Sequence, residues 1–235
     1  MTNFLTPATD FSSATYWSSR FETERSIGFE WLVPSSVILP IILSQVNSLP
    51  PAAVLRVLHF GCGTSSLGSE LANVLSRGPS LPNQKTHIVD SDYVDPSLLP
   101  TSSFANTEYV TYSTVQQDLL SPTYVLDPEE RYDLLIDKST ADAISCGPII
   151  GGYEPIQVLC TNLASFTKPG GRWISISYSE NRFPASILGK EWTVLERQLI
   201  DKRCLPGGRI VKENGVERRV YEPETGIWCY VLERQ

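Results

Sequence analysis

Apolar and polar residues alternate with two different periods along this chain of 235 residues. From residue 54 onward, short runs rich in Val, Ile, Leu and Phe recur, and glycine, proline or a carboxylate follows most of them. Between several of these runs, apolar residues are spaced three and four apart, which is the period of a helix with one buried face. Strands that alternate with helices predict an α/β fold with a mostly parallel sheet and right-handed crossovers.

The first 50 residues predict helices only. The segment ATYWSSRFETE follows Ser12 and Ser13 and predicts a first helix, and a second is expected over residues 37–46 with Pro40 in its first turn. We predict a single domain over residues 1–235. It consists of a helical N-terminal cap, a central core and a terminal hairpin region, with these bounds: 1–50, 51–180 and 181–235.

Five strands are predicted in the central core, at residues 55–60, 86–89, 109–115, 132–136 and 172–178. The sequence KPGG at 168–171 predicts a turn before the fifth strand. Two further strands, at 192–200 and 227–232, have no clear helix between them, which predicts an antiparallel hairpin at one sheet edge. The expected sheet is therefore seven-stranded and mostly parallel, with an antiparallel terminal hairpin.

The chain is organised around residues 54–66, VLRVLHFGCGTSS, where a buried strand meets a glycine turn and candidate helix caps. Glycines permit positive φ angles and let a ligand approach the backbone. Asp90, Asp118 and Asp137 each lie at or just past the end of a predicted strand, so they are expected at the same sheet edge. Asp90 can accept hydrogen bonds from ribose hydroxyls, and Asp118 can accept one from an exocyclic amine. Neither GxGxxG nor GK[ST] is complete, which favours an adenosine ligand without a pyrophosphate.

These motifs are similar to those of a known family. HFGCGTSSLG, IVDSD, VQQDLL, YDLLIDKSTADAI and FTKPGGRWISIS resemble, in order, the motif series of class I S-adenosylmethionine-dependent methyltransferases over residues 54–180. YW..RF, FEW, GCGTS and DKSTADAI resemble the narrower methyltransferase-13-like group, which includes lysine methyltransferases of translation elongation factor 1-alpha. The resemblance implies a Rossmann-like fold, S-adenosyl-L-methionine as cofactor and methyl transfer as the activity.

The resemblance also implies roles for individual residues. It matches Gly61, Cys62 and Gly63 with the turn against the methionine part of the cofactor, Asp90 and Ser91 with the ribose site, and Asp118 and Leu119 with the adenine site. It matches Asp137 with the acid near the reacting methyl group. Tyr16, Trp17 and Arg20 match an N-terminal segment that closes over the cofactor. Asp137 is the candidate catalytic residue, expected to orient cofactor or acceptor. Arg20 is expected to pair with the cofactor carboxylate through its planar guanidinium.

Several departures from the family pattern leave the methyl acceptor open. His59 stands where many class I enzymes carry an acid, and Ser139 and Ala141 replace a glycine and a leucine of DKGTLDA. The last two lie where the acceptor would enter. A protein lysine, for example on a translation elongation factor, is the first expectation. A small molecule that accepts at nitrogen, oxygen or sulfur is an alternative, and so is a catalytically silent binding subunit.

Each predicted site residue also has a structural alternative. The glycine turn can be a tight connection, Asp90 and Asp118 can cap local turns, and Asp137 can form an ion pair with Lys138. The aromatic residues and Arg20 of the N-terminal cap can belong to the core. The spacing of the motifs favours ligand contact at the strand ends.

Composition and charge exclude several other classes of protein and kinds of site. A net charge of −7 argues against nonspecific binding of nucleic acid. No apolar run is long enough to cross a membrane, and the N-terminal residues do not resemble a secretory signal, which favours a cytoplasmic protein. The five cysteines are scattered without a CxxC pair, and the two histidines fit no ligand spacing, so we expect free thiols and no metal site.

Overall fold

The computed structural model describes residues 9–24, 30–77, 84–99, 104–121, 126–203, 209–213, 216–220 and 225–235. Its helices are α1 (Ala14–Glu24), α2 (Ser35–Ser48), α3 (Leu67–Ser76), α4 (Thr140–Ile144), α5 (Pro155–Phe166) and α6 (Ala185–Leu188). Its strands are β1 (Val54–Phe60), β2 (Lys85–Asp92), β3 (Val110–Gln116), β4 (Tyr132–Lys138), β5 (Thr167–Ser177), β6 (Trp192–Arg203), β7 (Arg209–Glu213), β8 (Val216–Val220) and β9 (Thr225–Arg234).

Seven strands form one sheet in the order β3-β2-β1-β4-β5-β9-β6. The first five of these pair in parallel, and β9 lies antiparallel between β5 and β6. The predicted seven-stranded sheet and its antiparallel terminal hairpin are thus confirmed. The insertion between the hairpin strands contains a separate two-stranded ribbon, β7 and β8, which the sequence analysis did not predict.

Helices cover both faces of the sheet, because side chains of a buried strand point alternately to either side. On β4, Leu134 and Ile136 pack with the side chains of α2 and α3, whereas Leu135 packs with those of α5. All three are fully buried. Among the described residues, no helix has both the length and the apolar character needed to cross a membrane.

Helix α2 begins earlier than predicted, at Ser35, so Pro40 lies in its interior rather than in its first turn. Proline supplies no N–H to the helix ladder, which costs free energy. Burial of Ile38, Ile42 and Val46 along one face compensates, since these side chains lie in the sheet's main apolar cluster.

Three local predictions need correction at strand ends. Strand β2 continues through Asp92, pairing Asp90 with His59, and β4 continues through Lys138, pairing Asp137 with Ser175. The KPGG segment, predicted as a turn, lies within β5. Asp90 pairs with both β1 and β3, and Asp137 pairs with β5, so β2 and β4 each extend beyond their apolar runs. Asp90 and Asp137 therefore lie inside the sheet rather than just beyond it.

Candidate functional site

A cavity of about 490 Å³ lies beyond the carboxyl ends of the central strands. Its walls come from the turn after β1, the ends of β2 and β3, the corner between β4 and α4, the loop before α5, and the N-terminal cap. This volume is within the usual range of about 300–1,000 Å³ for small-molecule sites. The position is also the one at which open α/β sheets bind ligands.

The glycine turn forms part of the wall, as predicted, through Gly61, Cys62 and Gly63. Gly61 has a φ of +57° and Gly63 a φ of +49°. A Cβ atom on Gly61 would lie 2.0 Å from Oγ1 of Thr140, so the turn packs directly on the first residue of α4. Burial raises the pKa of the Cys62 thiol well above its usual value, which keeps this cysteine un-ionised.

Asp92 is the carboxylate that lines the cavity at the end of β2. It is 5% exposed, and it accepts backbone hydrogen bonds from Val94 at 3.0 Å and from Gly63 at 3.0 Å. Burial raises its pKa, and the backbone donors partly oppose that rise. Asp92 thus ties β2 to the glycine turn while facing the ligand space.

Asp90, predicted as the ribose-binding acid, does not line the cavity, and neither does Ser91. Oδ1 of Asp90 lies 3.0 Å from Nδ1 of His59, and Oδ2 accepts a hydrogen bond of 2.6 Å from the Tyr112 hydroxyl. A Cβ on Gly68 would lie 2.0 Å from Oδ1, so α3 rests directly on this carboxylate. The carboxylate is used inside the fold, and of this network it is His59 that reaches the cavity.

At the end of β3, Asp118 and Leu119 line the cavity, at the place where the sequence predicted them. Oδ1 of Asp118 also accepts a hydrogen bond from the N–H of Leu120 at 2.9 Å, so turn capping and cavity lining coexist. Gln117, which the site prediction missed, lines the cavity too. Its Nε2 is buried and has no hydrogen-bond partner among the described residues.

Asp137, the predicted catalytic residue, is fully buried and does not line the cavity. It accepts hydrogen bonds from Nε1 of Trp173 at 2.8 Å and from the N–H of Ala141 at 3.0 Å. Burial raises its pKa to about 6, against the opposing effect of these donors. Its carboxylate holds the start of α4 against β5. Its sequence neighbours Lys138 and Ser139 are the ones that reach the cavity.

Helix α4 contributes a further carboxylate to the cavity lining, that of Asp142. It accepts hydrogen bonds from Oγ of Ser177 at 2.5 Å, Oγ of Ser139 at 3.0 Å and the N–H of Tyr178 at 3.0 Å. Its Oδ1 also lies 2.7 Å from a guanidinium nitrogen of Arg182. Because these donors engage both oxygens and the arginine offsets the charge, Asp142 is suited to holding the wall in place rather than to removing a proton.

Ser139 adopts a left-handed backbone conformation with a φ of +67°, at the position where the family pattern has glycine. We predict that Ser139→Gly is more stable to urea than Ser139→Ala, by about 1 kcal/mol, since both lose the hydroxyl but only glycine relieves the strain. Equal stability of the two variants would contradict this account. Ser177→Ala, which removes another Asp142 donor without a change in backbone preference, is the control.

The N-terminal cap contributes Trp17 to the cavity, but neither Tyr16 nor Arg20. Nε of Arg20 donates to Glu24 at 2.7 Å, Nη1 donates to the Tyr16 hydroxyl at 2.9 Å, and the guanidinium lies 4.4 Å from a ring centroid of Trp31. These contacts order the cap itself. The structure therefore does not place Arg20 at the cavity wall, where the predicted pairing with a cofactor carboxylate would be made.

The residues present fit an adenosine-type cofactor. The cavity combines the glycine turn, whose one side chain is that of Cys62, with the buried carboxylate of Asp92. It also contains the buried amide nitrogen of Gln117, which has no partner in the part of the chain that the structure describes. Buried polar groups without partners cost free energy, so a ligand that satisfies Gln117 is favoured there.

The comparisons with known proteins agree with this geometry. No protein-family model matches the chain. It is 30% identical over 232 residues to Methyltransferase srdJ of Neurospora crassa, which covers 96% of this chain and 85% of srdJ. N-methyltransferase NodS of Bradyrhizobium japonicum WM9, solved in complex with S-adenosyl-L-homocysteine, superposes with a TM-score of 0.51 at 14% identity, covering 93% of this chain and 98% of NodS.

A similar likeness of fold extends to a second solved structure. A putative class I S-adenosylmethionine-dependent methyltransferase of Listeria monocytogenes superposes with a TM-score of 0.51 at 14% identity, covering 94% of this chain and 68% of that one.

Fold and site together define a class I S-adenosylmethionine-dependent methyltransferase. Within that class, the chain belongs to the family of methyltransferases that includes srdJ of Neurospora crassa.

Proposed function

We propose that this enzyme transfers the methyl group of S-adenosylmethionine to a small-molecule acceptor with an apolar body. The observation that carries the proposal is the apolar lining of the cavity at the end of α4, in the loop that follows it and at the start of α5: Ala143, Ile144, Pro148, Ile150 and Pro155. Apolar walls with a few placed polar groups are typical of small-molecule sites. The polar groups here are the carboxylate of Asp142, the hydroxyl of Ser139 and the half-exposed side chain of Tyr178.

In this proposal the cofactor is held by the strand ends of the sheet. Asp92 would accept hydrogen bonds from the ribose hydroxyls, the role first predicted for Asp90, while Gln117 and Asp118 would contact the adenine. The turn at Gly61 and Gly63 leaves room for the methionine part. The bound cofactor supplies a methyl group on a positively charged sulfur, which activates the carbon before any protein group acts.

The contribution of the chain to catalysis would then be positioning and exclusion of water. Asp137 is proposed to act indirectly: it holds the start of α4, so that Ser139 and Thr140 stay at the cavity wall. Asp142 would likewise hold Tyr178 at the acceptor side through its backbone N–H. The acceptor is therefore expected to arrive as a nucleophile, and to release any proton to water.

A protein lysine is the second candidate, in keeping with the resemblance to the methyltransferase-13-like group and its elongation factor substrates. The aromatic side chains of Trp17, Trp31 and Tyr178 in the cavity favour it, because aromatic rings attract an alkylammonium group. The ion pair between Asp142 and Arg182 argues against it, since that pair offsets the negative charge a lysine would meet.

The test is transfer of an isotope-labelled methyl group from S-adenosylmethionine in an extract of the source cells. The purified protein is added, and the products are separated into small-molecule and protein fractions. We predict label in a small molecule, and no label above background with the Asp92→Ala variant. Label on a lysine of one protein would instead establish the second candidate. Absence of label in both fractions, with cofactor binding intact, would contradict methyl transfer to any acceptor in the extract.

A further inference from the structure

We propose that Glu30 is a positioning residue that locks the N-terminal cap onto the cofactor turn through Lys138. This inference rests on the proposed use of S-adenosylmethionine. It assigns a role to the glutamate of the FEW motif and the lysine of the DKSTADAI motif, which are 108 positions apart in the sequence. Neither residue was among the predicted site residues.

The carboxylate of Glu30 collects donors from the start of α3. Oε1 accepts hydrogen bonds from the N–H of Ser66 at 2.9 Å and from the hydroxyl of Ser65 at 3.0 Å. The Ser66 hydroxyl donates to Glu70 at 2.5 Å and lies 3.1 Å from the same Glu30 oxygen. Ser66 is the N-cap of α3 but makes no capping bond with its own side chain. The Glu30 carboxylate thus caps the N-terminus of α3, where the helix dipole also favours negative charge.

Lys138 supplies the second half of the lock from the end of β4. Its ammonium group contacts Oε2 of Glu30 and lies 3.3 Å from the carbonyl oxygen of Val33. The lysine side chain is 3% exposed and lies at the cavity wall. A buried ammonium group without a partner is costly, so Lys138 strongly favours the conformation in which Glu30 is in place.

Glu30 and Lys138 form an ion pair between a carboxylate and an ammonium group rather than a contact between neutral groups. Burial by itself raises the pKa of Glu30, but the hydrogen bond and charge of Lys138 and the Ser66 N–H outweigh it, so the pKa falls below its ordinary value. Burial lowers the pKa of Lys138, and Glu30 opposes that effect. Glu30 is thus held in its charged form.

Fixing Glu30 also fixes its neighbour Trp31, and with it the wall of the cavity. The Trp31 ring packs edge-on against Trp17 at a centroid distance of 5.9 Å, and Arg20 lies over its face. Trp17 packs against Phe21, and a Cβ on Gly63 would lie 3.0 Å from the Phe21 ring. The chain of contacts runs from Glu30 through Trp31 and α1 back to the glycine turn. Loss of the lock should therefore loosen the cap over the cofactor site.

The experiment compares Glu30→Gln with Glu22→Gln, a control that makes the same chemical change at an exposed position of α1. The full-length variants are titrated with S-adenosylhomocysteine by calorimetry, and their urea midpoints are measured in parallel. We expect Glu30→Gln to bind about tenfold more weakly than wild type, and Glu22→Gln to bind as wild type does. Lys138→Met, which keeps the bulk but not the charge, should weaken binding to a similar extent.

The double variant distinguishes a shared lock from two separate effects. If Glu30 and Lys138 act together, Glu30→Gln with Lys138→Met should bind little worse than the weaker single variant. Folded Glu30→Gln and Lys138→Met proteins that bind S-adenosylhomocysteine with wild-type affinity would overturn the inference. If Glu30→Gln does not fold, Lys138→Met and its affinity decide the question alone. Wild-type protein that fails to bind S-adenosylhomocysteine would instead contradict the proposed function itself.

Discussion

Asp92→Ala is expected to weaken the binding of S-adenosylhomocysteine by about 100-fold. The loss in the free energy of unfolding should be smaller than the loss in binding free energy. Asp92 is the buried carboxylate at the end of β2 that faces the cavity. A hydrogen bond to a charged acceptor contributes about 1.5–3 kcal/mol, and a ribose offers two hydroxyl donors. At the lower end of that range, loss of two such bonds costs about 3 kcal/mol, and at about 1.4 kcal/mol for each factor of ten this is about 100-fold in affinity. Calorimetric titration measures the affinity directly.

Asp90→Ala is the informative comparison, because the sequence motifs assign the ribose to Asp90. Its carboxylate serves His59 and Tyr112 inside the sheet, so the variant should lose stability to urea and retain most of its affinity for S-adenosylhomocysteine. Asp127→Ala, which makes the same change at an exposed position before β4, serves as the control and should change neither quantity appreciably. Strong loss of affinity in Asp90→Ala together with normal binding in Asp92→Ala would reverse the assignment.

Gly61→Ala is expected to be the most damaging small substitution in the turn. An alanine at a φ of +57° costs roughly 1–2 kcal/mol in strain alone. Its Cβ would also lie 2.0 Å from Oγ1 and 2.4 Å from Cγ2 of Thr140, so α4 or the turn must move. Such overpacking adds about 1–3 kcal/mol. We therefore predict destabilisation by about 3 kcal/mol and loss of detectable S-adenosylhomocysteine binding.

Gly151→Ala separates strain from collision. Gly151 has the same φ of +57°, but apart from its chain neighbours no atom of the described residues lies within 4 Å of a Cβ built there. Its variant should lose only the strain energy of about 1–2 kcal/mol and should bind S-adenosylhomocysteine normally. Urea denaturation of the two variants gives the difference. If Gly61→Ala and Gly151→Ala were equally stable, close packing of the turn against Thr140 would not be the reason for the glycine.

The sequence by itself determined the architecture and the place of the site. Apolar periodicity is a local property of the sequence, and it predicted the strands of the seven-stranded sheet and its antiparallel hairpin. A strand needs apolar side chains to bury at any position in the sheet, so its pattern does not depend on which strands lie beside it. The glycine turn and Asp118 were predicted from their neighbours in the chain, and Leu119 from the family resemblance. The structure places all of them at the cavity.

Only the tertiary structure decided which carboxylates face the ligand space. Asp90 and Asp137 end their apolar runs, so the sequence placed them at the sheet edge, but pairing with neighbouring strands extends β2 and β4 past them. Their charges are accommodated by partners distant in sequence, His59 and Tyr112 for one and Trp173 for the other. A buried carboxylate requires such donors, and no local pattern reveals whether the fold will provide them.

The same reason explains the role of the FEW motif. Glu30 is a polar residue beside a tryptophan in the sequence, and only the fold brings it to the start of α3 and to Lys138. The hydrophobic pattern therefore specifies the sheet and the edge at which the ligand is expected to bind. Long-range hydrogen bonds and ion pairs decide which polar side chains reach that edge and which are used to hold it in place.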